Sequence, residues 1–215
     1  MKKIILILFL IVGCLLSAQE AVHKKPPIPI EFTFGHERAN LQTVLNLPFS
    51  EKSRFSFFNV TTGSVPYKNK KGANELVSIN NITYRLIKNV YGAAGFQFHF
   101  LKGFVPMTGI QYVMANKKWL VILTPNLNYA PSLNFETIGI LEFKPKFNEK
   151  VGLYSRIQGL YNHNMDEGFH DRSYVNFRLG LSINTYTLGF AANFDYYGPD
   201  KLSENNFGVF IRHSF

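Results

Sequence analysis

The chain is poor in cysteine, in acidic side chains and in long apolar runs. Its single cysteine, Cys14, lies within a leader-like start, so the remainder has no thiol to offer a disulfide, a thiolate nucleophile or a cysteine-bound metal. Acidic residues number 14 against 23 Lys and Arg, and the formal net charge is +9. The positives fall in short clusters, such as Lys68 to Lys71 and Lys117-Lys118, with no long basic arm. That distribution argues against nucleic acid as a partner and reads mainly as solvated turns; in an exported protein the natural acidic partners are lipid headgroups and lipopolysaccharide phosphates. Beyond residue 16 no stretch reaches the ~20 apolar residues that a membrane-crossing helix requires. Any insertion into lipid must therefore use strands, and a closed barrel is the β-structure that satisfies its whole backbone there.

The start is a compact export signal. Met1-Lys2-Lys3 is followed by the apolar run Ile4 to Leu16 and by Ser17-Ala18-Gln19, which reads as a signal peptide over 1–19 cleaved after Gln19. Ile11-Val12-Gly13-Cys14 looks like a lipobox, but the apolar run continues past the cysteine through Leu15-Leu16, which argues against lipidation. Without the leader the net charge is +7 over about 196 residues. Residues 20–27 contain Pro26-Pro27 and form a periplasmic lead-in; residues 28–215 form one domain.

What the sequence has in abundance is aromatic residues, 21 Phe and 11 Tyr, all but Phe9 in that domain and many set in a period of two. Tyr186, Leu188, Phe190, Ala192, Phe194 and Tyr196 share one face of a stretch whose other face is Thr187, Gly189, Ala191, Asn193 and Asp195. Val175, Phe177, Leu179 and Leu181 oppose Asn176, Arg178 and Gly180 in the same way, and Leu153 and Ile157 oppose Tyr154, Arg156 and Gln158. Similar alternation runs back to Arg54 and, less regularly, to Ile28. Short links, for example Lys88-Asn89 and Asn184-Thr185, alternate with longer polar ones, for example Asn162 to Arg172. This predicts ten strands from Arg54 to Phe215, and twelve if Ile28 to Leu47 is a hairpin turning near Gly35 to Arg38. Twelve is preferred, because Leu41, Leu45 and Leu47 oppose Asn40, Gln42 and Asn46.

Alternation alone does not say which face points inward. Large aromatics near strand ends (Tyr129, Phe135, Tyr161, Tyr186, Tyr196) and small residues on the polar face favour an apolar outside. Arg156 or Arg178 at mid-depth in lipid would cost ~2–4 kcal/mol each, so in a spanning barrel they point into the lumen. Glu142, Arg156, Gln158, Arg178, Asp195 and Arg212 are accordingly expected to form a paired lumen network, with Asp195 bridging to Arg178 or Arg212. Such a network either seals the barrel or lines a narrow polar pore.

The last ten residues alternate Phe207, Val209, Ile211, His213 and Phe215 against a mostly polar face. With the terminal aromatic, Phe207, Val209, Ile211 and Phe215 resemble the C-terminal assembly signal of bacterial outer-membrane β-barrels. Together with Leu153 to Tyr161 and Ala192 to Pro199, the chain resembles the small outer-membrane β-barrel proteins of Bacteroidota, most strongly over its last 100 or so residues. The resemblance implies an all-β, transmembrane, antiparallel up-and-down barrel in the cell outer membrane. Its implied partners are outer-membrane lipids, lipopolysaccharide and the barrel assembly machinery, with no cofactor and no defined activity.

Two chemical alternatives remain. Outer-membrane lipid hydrolases acting on lipid A or phospholipid use Ser and His near the external leaflet. His170, Asp171 and Ser173 are the local candidates, although adjacent His170 and Asp171 should diverge on a strand. His163, Asp166, Glu167, His170 and Asp171 have the composition of a divalent-ion loop, but their spacing matches no recognised site. The leading expectation is a non-enzymatic barrel of structural or passive-transport character.

Overall fold

The computed structural model describes residues 26–68 and 74–215. The signal peptide expected at 1–19 and most of the lead-in lie outside the described residues. The strands are β1 (Pro29–Gly35), β2 (Arg38–Pro48), β3 (Phe55–Pro66), β4 (Glu75–Ile87), β5 (Val90–His99), β6 (Gly103–Ala115), β7 (Trp119–Asn128), β8 (Asn134–Phe143), β9 (Val151–Asn164), β10 (Phe169–Ile183), β11 (Tyr186–Tyr197) and β12 (Leu202–Ser214). Each pairs antiparallel with its neighbours in sequence, and β1 pairs with β12, so the sheet closes as a twelve-stranded up-and-down barrel. The hairpin expected near Gly35 to Arg38 is present, which decides twelve over ten.

We call the end where β1 begins and β12 finishes the lower end. Three of the links there, 88–89, 116–118 and 184–185, are as short as expected, while those at 49–54 and 144–150 are longer than the Ser50 to Ser53 and Phe147 to Lys150 expected. The upper links are shorter than the sequence suggests, because the strands run on: Asn162 to Arg172 is mostly paired sheet, leaving only residues 165–168 as a turn.

The apolar residues face outward. Phe190 is 75% exposed and Leu188 56%, whereas Phe210, the apolar exception on the inner face of β12, is 1% exposed. A belt of this size, joined by Phe32, Leu141, Ile157, Phe177, Leu179 and Val209, is far larger than the apolar patches that water-soluble monomers tolerate. Tyr129, Tyr161 and Tyr186 stand exposed near strand ends, as a girdle would.

β3 and β4 reverse this pattern at mid-height. Phe58, Val60 and Ile79 point inward and are buried, while Asn59, Thr61, Ser78 and Asn80 lie on the outer face. These four satisfy one another: Asn59 Nδ2 donates to Asn80 Oδ1 at 2.9 Å, and the Thr61 and Ser78 hydroxyls are 2.8 Å apart.

The closing seam joins the shortest strand, β1, of seven residues, to β12. Its backbone approach depends on glycine: a Cβ on Gly208 would overlap the Phe34 carbonyl, and one on Gly35 would overlap the Asn206 amide. That amide uses the space to clasp the β1–β2 turn. It accepts from the backbone N–H of Glu37 at 3.1 Å and of Arg38 at 3.3 Å, and donates to Arg38 O at 3.0 Å and Asn40 Oδ1 at 3.1 Å. Below, Ile28 and Phe215 exchange backbone hydrogen bonds of 3.2 and 3.1 Å.

Candidate functional site

The lumen is the candidate site, and its lower half is built around a carboxylate on β1. Glu31 Oε1 accepts from Arg156 Nη2 at 2.6 Å and from Arg178 Nε at 2.8 Å. Arg178 also donates to Asn193 Oδ1 at 2.7 Å and Thr33 Oγ1 at 3.2 Å. Glu142 accepts from Arg212 at 2.8 Å, from the Tyr154 hydroxyl at 2.8 Å and pairs with Lys144 at 2.9 Å. Phe210 lies against Tyr154, 5.9 Å between ring centroids, and under the Arg178 guanidinium. Of the lumen residues expected from sequence, Arg156 and Arg178 thus gather on Glu31 and Arg212 on Glu142, two adjoining clusters with Phe210 between them.

Glu31, the centre of the first cluster, was missed. It lies in a short strand behind a proline-rich lead-in, where alternation is brief, yet a lone acid between Ile30 and Phe32 is the signal that could have marked it. The acid expected in its place, Asp195, is elsewhere. Across β10 and β11, Arg178 is level with Ala191 and Asp195 with Tyr174, so Asp195 sits two inward positions above Arg178. Its partner is Arg172, at 2.9 Å.

At mid-height the lumen is packed. Gln42 Nε2 donates to Gln158 Oε1 at 2.6 Å, and Gln158 Nε2 to the Tyr174 hydroxyl at 2.9 Å. The opposite wall supplies an apolar cluster that includes Phe58, Ile79, Met107, Ile122, Ile138 and Ile140. Gln158 is 0% exposed, so water reaches it from neither end. A cavity of about 220 Å³ lies above this layer and one of about 200 Å³ below it, and a narrow space of about 50 Å³ passes beside the bridge, lined from Glu31 and Arg178 up to Glu75 and Arg172.

The upper cavity is a polar cup. Arg172 bridges Asp195 and Glu75, the latter at 3.0 Å, and stacks on Tyr197 at 4.8 Å. Lys102 pairs with Asp171 at 3.0 Å. Deeper, a ring of amides surrounds Glu136. Asn162 donates to its Oε2 at 2.7 Å, Asn134 donates to Asn162 Oδ1 at 2.7 Å, and Asn128 donates to Gln97 Oε1 at 3.1 Å. Among the described residues, Glu136 has no Lys, Arg or His partner, and its Oε1 meets no donor.

The three candidates on β10 are divided by a bulge. Register shifts between His170 and Arg172, which sends Asp171 inward to Lys102 and leaves His170 beside Ser173 on the outer wall. His170 Nδ1 lies 2.8 Å from the Gly198 carbonyl and Nε2 2.9 Å from Ser173 Oγ. A carbonyl only accepts, so Nδ1 carries the proton and Nε2 accepts from the serine hydroxyl. The divergence expected of His170 and Asp171 is present; the His170–Ser173 contact was not foreseen, because three residues apart on a regular strand would place them on opposite faces. The ion-binding residues are dispersed: Asp166 accepts from Leu133 N at 2.8 Å, and among the described residues no group of three His, Cys, Asp or Glu forms a metal site. Phe207, Val209, Ile211 and Phe215 all point outward.

No family model matches the sequence, and no curated protein matches it. Among solved structures, the NanC porin superposes with a TM-score of 0.51 at 11% identity, covering 88% of this chain and 100% of that one. The KdgM porin gives a TM-score of 0.46 at 10% identity, covering 88% of this chain and 99% of that one. At this identity the NanC likeness is one of fold: the chain adopts the porin-like twelve-stranded barrel architecture.

Proposed function

We propose that the protein is an integral outer-membrane barrel of structural character, with a lumen shut at mid-height and a polar cup open to the outside. The packed layer around Gln158 carries this reading, since the bridge closes the centre of the lumen and the space that passes beside it is only about 50 Å³. The exposed apolar belt supports the membrane location. We place the lower end, where β1 begins and β12 finishes, in the periplasm, since an even number of strands leaves both ends of the barrel sequence on the side from which it is inserted, and the cup then faces outward. A passive-transport role would require the Gln42–Gln158–Tyr174 bridge to part or the narrow space beside it to widen.

The reading also refines the lipid partners. Lys52, Lys88, Lys117, Lys118 and Lys150 sit on lower turns, where they would meet phospholipid headgroups of the inner leaflet, while Lys68 and Lys201 sit on upper turns, on the lipopolysaccharide side. The outward row ending at Phe215 is the surface we assign to the assembly machinery.

The test combines fractionation with electrophysiology. The protein should fractionate with outer membrane, migrate heat-modifiably in mild detergent, and give no stepwise conductance in planar bilayers. Recovery as a soluble periplasmic protein would sink the membrane reading, and stable conductance steps would replace the shut barrel with the pore.

A second reading, lipid hydrolysis at the outer wall, is favoured by the His170–Ser173 contact and the tautomer that Gly198 imposes. Ser173 is level with Tyr161 and Tyr196, in the girdle where an ester could lie. It predicts altered lipid A or phospholipid on overexpression, abolished by His170→Ala and by Ser173→Ala. An unchanged lipid profile removes it.

A further inference from the structure

The lumen's charges are divided between its halves. At the upper end, Glu75, Glu136, Asp171, Asp195 and Glu204 face Arg38, Lys102 and Arg172; below the packed layer, Glu31 and Glu142 face Lys144, Arg156, Arg178 and Arg212. Among the described residues, the cup therefore carries an excess of two negative charges, and the lower half an excess of two positive ones. A small cation entering from above is drawn into the cup and repelled from going further. An anion is turned away at the mouth.

The cup's floor sharpens the chemistry of the occupant. Glu136 is 2% exposed, lines the cavity, and leaves Oε1 without a donor. Asn128 Oδ1, which lines the same cavity, is also without a donor, its Nδ2 being committed to Gln97. Buried acceptors without donors are costly, and a carboxylate among neutral amides more so. What both oxygens lack is a donor, and what Glu136 also lacks is a cation in contact, Arg172 and Lys102 acting on it only at a distance. A cavity of about 220 Å³ is below the size of drug-like pockets and suits a ligand of a few heavy atoms. Ile79, Val105 and Ile138 beside the polar ring offer contact to a short hydrocarbon stem.

We infer that the upper cup is a binding site for small primary ammonium compounds, with the Glu136 carboxylate as the charged anchor and Asn128 Oδ1 as a second acceptor. The inference rests on the reading that the cup opens to the outside above a closed lumen. It differs from that reading in what it predicts, because the cup could stay empty in a shut barrel and could fill in a conducting one.

The experiment is calorimetric titration of the full-length folded barrel in detergent, heat-modifiable migration certifying the fold of every variant. Ethanolammonium chloride should bind saturably at one site. Tetramethylammonium, which carries the charge but no N–H, and ethylene glycol, which has donors but no charge, should each bind at least about tenfold more weakly, the scale of one charge-assisted hydrogen bond. Glu136→Gln should weaken ethanolammonium by at least about tenfold on the same grounds. Should that variant not fold, Asp171→Asn at the rim removes one negative charge while its amide oxygen can still accept from Asn134 Nδ2, now 3.2 Å from the carboxylate, and should weaken binding about twofold or more by the reduced field. The inference is overturned if ethanolammonium fails to bind, if ethylene glycol, tetramethylammonium or calcium binds as well, or if the folded variants bind as tightly as the parent. Planar-bilayer conductance, measured separately, decides whether the lumen is shut and does not move with these outcomes.

Discussion

Glu31→Gln is expected to lower the barrel's unfolding free energy by about 3–5 kcal/mol, the range found when one partner of a buried ion pair is removed. The reason lies in what is left behind. Arg156 and Arg178 both converge on Glu31 Oε1, and all three side chains are at most 3% exposed. A glutamine keeps an acceptor in place but leaves two guanidinium charges packed side by side, with Arg212 nearby and water excluded. The same logic predicts recovery. Replacing Glu31, Arg156 and Arg178 together by Met removes the charges with their partner, and should return stability to within about 1–2 kcal/mol of the parent. Urea titration of the barrel refolded into lipid vesicles measures both. A loss below about 1 kcal/mol in Glu31→Gln would mean that the triad behaves as a solvated surface cluster and does not hold the lumen shut.

The second large effect is a gain. The double variant Phe58→Ala, Gln158→Ala removes one side chain from each wall of the packed layer: the apolar cluster loses a ring, and the bridge from Gln42 to Tyr174 loses its middle. Phe→Ala in a core costs about 3–5 kcal/mol. Here part of that space is continuous with polar cavities above and below, so water can enter it. Stepwise conductance is expected in planar bilayers where the parent shows none. The variant should favour cations at its outer mouth and meet its barrier at the arginines below. A flat trace from a folded double variant would show that the block does not reside at these two positions.

Much of this architecture could be read from the chain. From β9 to β12 the outer face is apolar and the inner face mostly polar or small, and the strand directions and the inward aim of Arg156, Gln158, Arg178 and Arg212 follow from period two and the cost of charge in lipid; in β6 to β8 the outer row is equally apolar but the inner face is mixed, with Met107, Ile122, Ile138 and Ile140 turned inward. The reading weakened where physics permits two solutions. In β3 and β4 the inner wall is apolar, with Phe58, Val60 and Ile79, and the outer wall polar, with Asn59, Thr61, Ser78 and Asn80, so alternation survives but its meaning is inverted. A filled lumen tolerates this, since side chains inside need partners rather than water, and the four outer polar groups supply their own.

The site was less legible, because it depends on pairs made across the lumen between residues distant in sequence. Glu31 meets Arg156 and Arg178 at separations of 125 and 147 residues, and no local spacing announces that. Asp195 illustrates the converse: its neighbours in the sheet could be guessed, but its height relative to Arg178 depends on the register between β10 and β11. The contact between His170 and Ser173 depends on a single bulge, a feature that the composition of Gly168 to Tyr174 does not disclose.

The Asn206 clasp bears on how the cylinder comes into being. Its four hydrogen bonds join the last strand to the turn of the first hairpin, so an open sheet of eleven or twelve strands leaves both the amide and the turn's backbone groups without each other. Joining ends so far apart carries an entropic penalty that grows only slowly with length, whereas these bonds, the Gly35–Gly208 approach and the grip of Glu31 on two arginines are all gained in one step. A half-closed ring collects little of this, which makes circularisation cooperative: the first hairpin acquires its final rigidity at the moment the chain's last segment arrives.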